Sequence, residues 1–140
     1  MPEFGKTSRE RLETCHPNLQ IIMNDVVKIF DITILQGHRT PEEHAKYLKE
    51  GRTKVEYQDS KHSRNPSLAV DIAPWPIPRD WGEHSFKGLA RFYYMAGIVK
   101  GIAQSRNIKI RWGGDWNGNN IFTDQKFDDL VHFELIGVQS

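Results

Sequence analysis

Between residues 17 and 29 the apolar positions recur at helical spacing: Leu19, Ile22, Met23, Val26 and Ile29 share one face and predict a core helix opened by Pro17. Ahead of it, Ser8 before RERLETC is the expected cap of a shorter helix. The pattern then changes period. DITILQG is short, β-branched and closed by Gly37, which predicts a strand running into a turn. Thr40, Pro41 and Glu43 supply a cap, a first-turn proline and a capping-box acid, so a helix through HAKYLKE should follow and stop at Gly51.

Residues 52 to 68 are polar and turn-rich, and predict a long loop of the kind that in a compact domain is functional or disordered. AVDIAP reads as a strand closed by Pro74, and WPIPRDWGEH as a Pro- and Trp-rich connection. From Ser85 to about Arg106, Phe86, Leu89, Ala90, Tyr93, Ala96, Gly97, Ile102 and Ala103 trace one face of the longest helix. IKIRW predicts a strand, GGDWNGNN a turn, and VHFELI a last alternating strand. This order of elements predicts the α+β class: a single domain with a small, mainly antiparallel sheet backed by helices.

Length and composition narrow the picture without changing it. With 140 residues there is room for one domain, 1–140, and none for a second folded unit. A formal charge of +1 gives no electrostatic reason to expect nucleic acid or an anionic bilayer as the main partner. Cys15 is the single cysteine, so no intramolecular disulfide can brace the fold; it is expected to be a half-buried small residue rather than a reactive thiol. MPEFGKTSRERLE lacks the apolar run of a secretory signal, and no segment approaches the roughly 20 apolar residues of a membrane span, so no stable membrane insertion is expected.

The candidate chemistry lies in SKHSRNPSLAVDIAP, where His62 in the loop precedes Asp71 in a strand, and in the last strand, where His132 follows Asp129 by three. Two imidazoles and a carboxylate leave one of zinc's four positions open for water, which suits a catalytic site, and Asp129 is a spare carboxylate able to take a proton. The residues alone leave the alternative open, because a lone His is more often a surface or satisfied core residue than a ligand.

Together with QGHRT, RWGGDW and HFEL, these segments resemble the D-alanyl-D-alanine carboxypeptidase and L-alanyl-D-glutamate peptidase family of zinc peptidases, and especially its small phage endolysins, over about residues 31 to 136. Ser60 and His62, then Ala69 and Asp71, then Asp129 and His132 fill the family's signature in order. The spacer SRNPSL is longer than the commonest pattern by about two residues, so the loop between the first two ligands must bulge.

The resemblance implies one zinc ion held by His62, Asp71 and His132, with Asp129 as general base. It implies that Arg39 faces the substrate carbonyl or developing oxyanion, the bland alternative being a surface arginine that closes a turn. Ser60 would orient the substrate or the loop. The implied fold is that of the D-alanyl-D-alanine carboxypeptidases and hedgehog-like domains. The implied partner is bacterial peptidoglycan, whose L-alanyl-D-glutamate stem-peptide bond a zinc-bound water would attack. Removal of terminal D-alanine by the same site, or a non-catalytic zinc-stabilised binding module, are the rival readings. The expected setting is a monomer without a separate wall-binding domain, held in the host cytoplasm until release to the wall.

The other candidates are weighed against ordinary structural roles. His16, His38, His44 and His84 are expected to be exposed polar residues, and Glu134, two after His132, shares its strand face. Trp75, Trp81, Trp112 and Trp116 either wall the cleft or pack in the core, and Asp115 could bond the backbone or a ligating His.

Overall fold

Hydrophobic burial places four strands and four helices much as the periodicities predict, in a computed structural model that describes residues 2–79, 86–125 and 128–138. The elements are α1 (Lys6–Leu12), α2 (Pro17–Ile29), β1 (Ile32–Gln36), α3 (Pro41–Lys49), β2 (Ala69–Pro74), α4 (Phe86–Ser105), β3 (Ile110–Gly113) and β4 (Asp129–Leu135). The strands form one sheet in the order β1-β2-β4-β3, antiparallel at every step. The expected α+β domain with an antiparallel sheet backed by helices is therefore the observed one.

One face of the sheet is apolar. Ile34 pairs with Ile72, Val70 with Phe133 and Trp112 with Phe133, and all five side chains are buried. Against them lie Leu19, Ile22, Met23 and Val26 of α2 and Phe92, Met95 and Val99 of α4. Each such fully buried side chain contributes about 1.5–3 kcal/mol relative to exposure.

The capping box at Thr40 and Glu43 forms as expected, and Gly51 follows α3 with φ +73°, a conformation that disfavours other residues. Several expectations are corrected. Ser8 lies inside α1, which Gly5 caps, because its hydroxyl is drawn inward to Thr33 Oγ1 and the Ile34 amide of the neighbouring strand. Ile29 is exposed and Val27 buried at the end of α2. In α4 the buried set is Gly88, Phe92, Met95, Ala96, Val99 and Ala103, while Phe86 is 83% exposed. That helix carries apolar residues on most sides, so spacing alone does not single out the face that meets the sheet. Cys15 is fully rather than half buried, and burial pushes its thiol up to about 12, which makes it unreactive. The loop 52–68 contains two short 3₁₀ turns, Tyr57–Asp59 and Lys61–Ser63. Trp81, His84 and Ser85 lie outside the described residues.

Candidate active site

The opposite face of the same sheet is polar at its centre. Asp71 of β2 pairs with His132 of β4, and Ala69 with Glu134, which sets one carboxylate between two strands beside an imidazole. Two irregularities in the ladder re-aim the chain around that pair. Between β1 and β2 an extra residue, Leu35, brings Gln36 opposite Asp71. Between β3 and β4 one step from Trp112 to Gly113 is matched by four from Phe133 to Asp129, which returns Asp129 toward the site. Bulges of this kind bend a strand and redirect a side chain, and they are common beside active sites. Glycine is required at both places. A Cβ on Gly113 would lie 2.1 Å from the Asp129 carbonyl oxygen, and one on Gly37 2.5 Å from the Arg11 carbonyl oxygen.

His62 reaches the pair from the 3₁₀ turn at 61–63. The Ser60 hydroxyl caps that turn by accepting from the His62 amide at 3.2 Å, and the Arg39 amide donates to the His62 carbonyl at 2.8 Å. The long spacer is pinned behind it, where the Ser67 amide donates to Thr14 O and the His16 amide to Ser67 O, both at 2.8 Å.

Three donor atoms converge. His62 Nε2 is 3.1 Å from Asp71 Oδ1 and 3.3 Å from His132 Nδ1, and His132 Nδ1 is 3.2 Å from Asp71 Oδ1. In tetrahedral coordination, bonds of about 2.0–2.1 Å separate neighbouring donors by about 3.3 Å. The triangle therefore fits one face of a zinc site without rearrangement, and all three residues line a cavity. Among the described residues these three are the His, Asp, Glu or Cys group whose donors lie close enough to share a metal ion.

The outer nitrogens of both rings are spoken for. His62 Nδ1 lies 2.7 Å from the Gly37 carbonyl, which can only accept, so Nδ1 carries the proton and Nε2 presents its lone pair. His132 Nε2 lies 2.8 Å from Glu134 Oε1 and donates in the same way, leaving Nδ1 for the metal. Glu134 is itself held by Lys61 at 3.2 Å and Arg111 at 3.6 Å. Such carboxylate and carbonyl partners fix ring orientation and raise ligand basicity.

The electrostatics favour a cation. Burial works against the Asp71 carboxylate, but the two imidazoles outweigh it and hold the group far below the usual carboxylate range. Burial also opposes charge on His132, yet the hydrogen bonds its ring donates to Asp71 and Glu134 raise it to about 10.

Arg39 is buried, with Nε donating to Gln36 Oε1 at 2.8 Å and Nη2 lying 3.7 Å from Asp71 Oδ2. Burial, and then the nearby Asp71 charge, push the Asp129 carboxyl up to about 6 against the pull of His132, His62 and Arg39. Arg39, Ser60, His62, Asp71, Asp129 and His132 all line one cavity of about 680 Å³. All six residues singled out in the sequence therefore meet in one place.

Residues 2–136 match the family described as phage L-alanyl-D-glutamate peptidase. The chain belongs to this family. It is 30% identical over 126 residues to the L-alanyl-D-glutamate peptidase of Escherichia phage T5, with 88% of each chain covered. A solved structure, the L-Ala D-Glu endopeptidase ChiX of Serratia marcescens, shares the fold with a TM-score of 0.66 at 22% identity, over 94% of this chain and 88% of that one. This phage peptidase is thus a peptidoglycan-cleaving enzyme.

The remaining aromatic, acidic and histidine candidates fall in different places around the peptidase site. Trp116 lines the cavity with its ring 5.5 Å from that of His132, whereas Trp112 is a core residue and Trp75 is half exposed away from the cavity. Asp115 closes its own turn by accepting from the Asn120 amide at 2.9 Å and bonds no ligating His. His16 caps α2, and His38 Nδ1 meets Arg64 O at 3.0 Å. His44 is the clear correction: it is fully buried rather than exposed, because both ring nitrogens have partners inside the fold. Gln36, Tyr47 and Lys61 were not legible as site residues. Only the position of Gln36 directly before Gly37 marked it as near the turn that carries Arg39.

Proposed function

We propose that this peptidase hydrolyses the L-alanyl-D-glutamate bond of peptidoglycan stem peptides with one zinc ion held by His62 Nε2, Asp71 Oδ1 and His132 Nδ1. The observation that carries the reading is the donor triangle with sides of 3.1, 3.2 and 3.3 Å, each imidazole fixed from behind by an acceptor. When bound, zinc supplies an electrophile for the scissile carbonyl and brings the pKa of a water to about 7.

Asp129 accepts the proton of the attacking water and returns it to the departing nitrogen of D-glutamate. Burial, which disfavours the charged carboxylate at this position, suits it to both taking and returning the proton. Arg39, aimed by Gln36, faces the negative charge that develops on the carbonyl oxygen, where a fixed guanidinium stabilises the transition state. Ser60 holds the turn that carries His62. A D-glutamyl residue within a peptide keeps one carboxylate free, and Arg52 on the cavity wall carries the opposite charge. The enzyme works as a monomer and meets the wall after release from the host cytoplasm.

Mass spectrometry of fragments released from purified Gram-negative peptidoglycan tests this directly, with the protein as isolated, after chelation and after zinc is restored. Zinc-dependent stem peptides beginning with D-glutamate are expected. Release of D-alanine alone would establish a carboxypeptidase instead, and no release would point to a binding module.

A further inference from the structure

We propose that His44 is the positioning residue for Arg39: its buried imidazole accepts a hydrogen bond from the guanidinium and donates one to the loop that walls the cavity. This rests on the role given to Arg39 above. The geometry is two-ended. Arg39 Nη1 lies 3.1 Å from His44 Nδ1, and His44 Nε2 lies 2.7 Å from the Val55 carbonyl oxygen. Arginine only donates and a carbonyl only accepts, so Nδ1 must offer its lone pair and Nε2 must carry the proton. With both nitrogens committed, His44 has no capacity left to ligate a metal or move a proton. It does not line the cavity, so it acts through Arg39 rather than on substrate.

The ring is fixed on every side that matters. It is fully buried on α3 and meets Tyr57 edge-on, with centroids 5.7 Å apart. The other acceptor for Arg39, Gln36 Oε1, is itself oriented because Gln36 Nε2 donates to Glu43 Oε2 at 3.2 Å. Two acceptors therefore hold the Nε and Nη1 edges of the guanidinium, and the Tyr47 ring lies 4.4 Å from its carbon.

This arrangement keeps Nη2 at 3.7 Å from Asp71 Oδ2, beyond hydrogen-bond reach and on the cavity side. Without the His44 acceptor the group would be free to pivot about Nε and close on the Asp71 carboxylate. The same ring also ties down Val55, which follows Arg52 and Lys54 on the cavity wall. One buried side chain thus sets both the catalytic cation and the loop that faces substrate.

Kinetics of zinc-loaded His44→Leu, Arg39→Ala and the double variant on a stem peptide, together with nitrogen NMR of the wild-type ring, test this. His44→Leu is expected to lower kcat roughly 10- to 100-fold with KM within about threefold, as a misplaced catalytic group does. In the Arg39→Ala background it should change kcat less than about twofold. His44→Gln and His44→Asn, which restore a side-chain acceptor, should recover most of the loss at unchanged zinc content. NMR should find Nδ1 bare and Nε2 protonated, a readout that needs no variant to fold. A protonated Nδ1, or losses that multiply in the double variant, would overturn the proposal. An active Arg39→Ala would instead overturn the role of Arg39 on which it rests.

Discussion

The two faces of the four-stranded sheet obey different rules. On the helix-covered face, Val70, Ile72, Phe133 and Leu135 alternate with period two and pack against α2 and α4. On the other face the alternation delivers Asp71, His132 and Glu134, but Gln36 and Asp129 arrive only through breaks in register, and His62 from a loop. Regular pairing builds the platform, and departures from it complete the site. The core face needs only apolar volume, whereas the site face needs atoms at fixed separations.

Adjacent residues of β4 offer the strongest way to break this comparison. His132→Ala should remove stoichiometric zinc binding and lower kcat/KM by about 10⁴-fold or more, on the scale lost when catalytic groups that act as one unit are removed. Its neighbour Phe133→Ala should cost about 3–5 kcal/mol of stability in a denaturant titration, while the folded fraction keeps kcat within a few fold. Equal effects of the two on zinc binding would erase the distinction between the faces.

Asp129→Asn sharpens it. A general base contributes about 10²- to 10⁴-fold, so kcat should fall by that much with zinc retained. A bound cation draws the Asp129 pKa down from about 6, so the acid limb of the wild-type kcat/KM profile should lie at or below pH 6 and vanish in this variant. Stability should move the opposite way. The folded pKa lies above the ordinary 3.8, so the native state holds this proton more tightly than the unfolded chain does. The carboxylate therefore destabilises the metal-free protein increasingly as pH rises from 3.8 to about 6, and fully above that. Asp129→Asn should gain on the order of 1–3 kcal/mol at pH 7, shrinking toward pH 4, in thermal melts with chelator present.

Smaller effects follow at the margins of the site. Glu134→Gln should weaken zinc binding about 10- to 100-fold by loosening His132 from behind, as competition with a chelating dye would measure. Arg52→Gln should raise KM about two- to fivefold at unchanged kcat, the scale of an exposed ion pair, and less at high salt.

The core strands and capped helices were legible because each depends on local period and end chemistry. Thr40, Pro41 and Glu43 marked α3, and the alternation through Phe133 and Leu135 marked β4. The buried face of α4 was not legible, because apolar residues surround it and only the sheet selects Phe92, Met95 and Val99. Ser8 was misplaced because its hydroxyl answers to Thr33 and Ile34, twenty-five and twenty-six residues away. In the site, His62, Asp71, Asp129 and His132 stood out through motif resemblance rather than through any local rule. Their supports did not: His44 is one polar residue among several on α3 until the fold brings Arg39 and Val55 to its two nitrogens.

The most direct test of the metal centre is zinc-edge anomalous diffraction from crystals of the zinc-loaded enzyme. A single peak within about 2.0–2.2 Å of His62 Nε2, Asp71 Oδ1 and His132 Nδ1 is the expected result. A peak bound through His132 Nε2 and Glu134, or none at the triad, would contradict it.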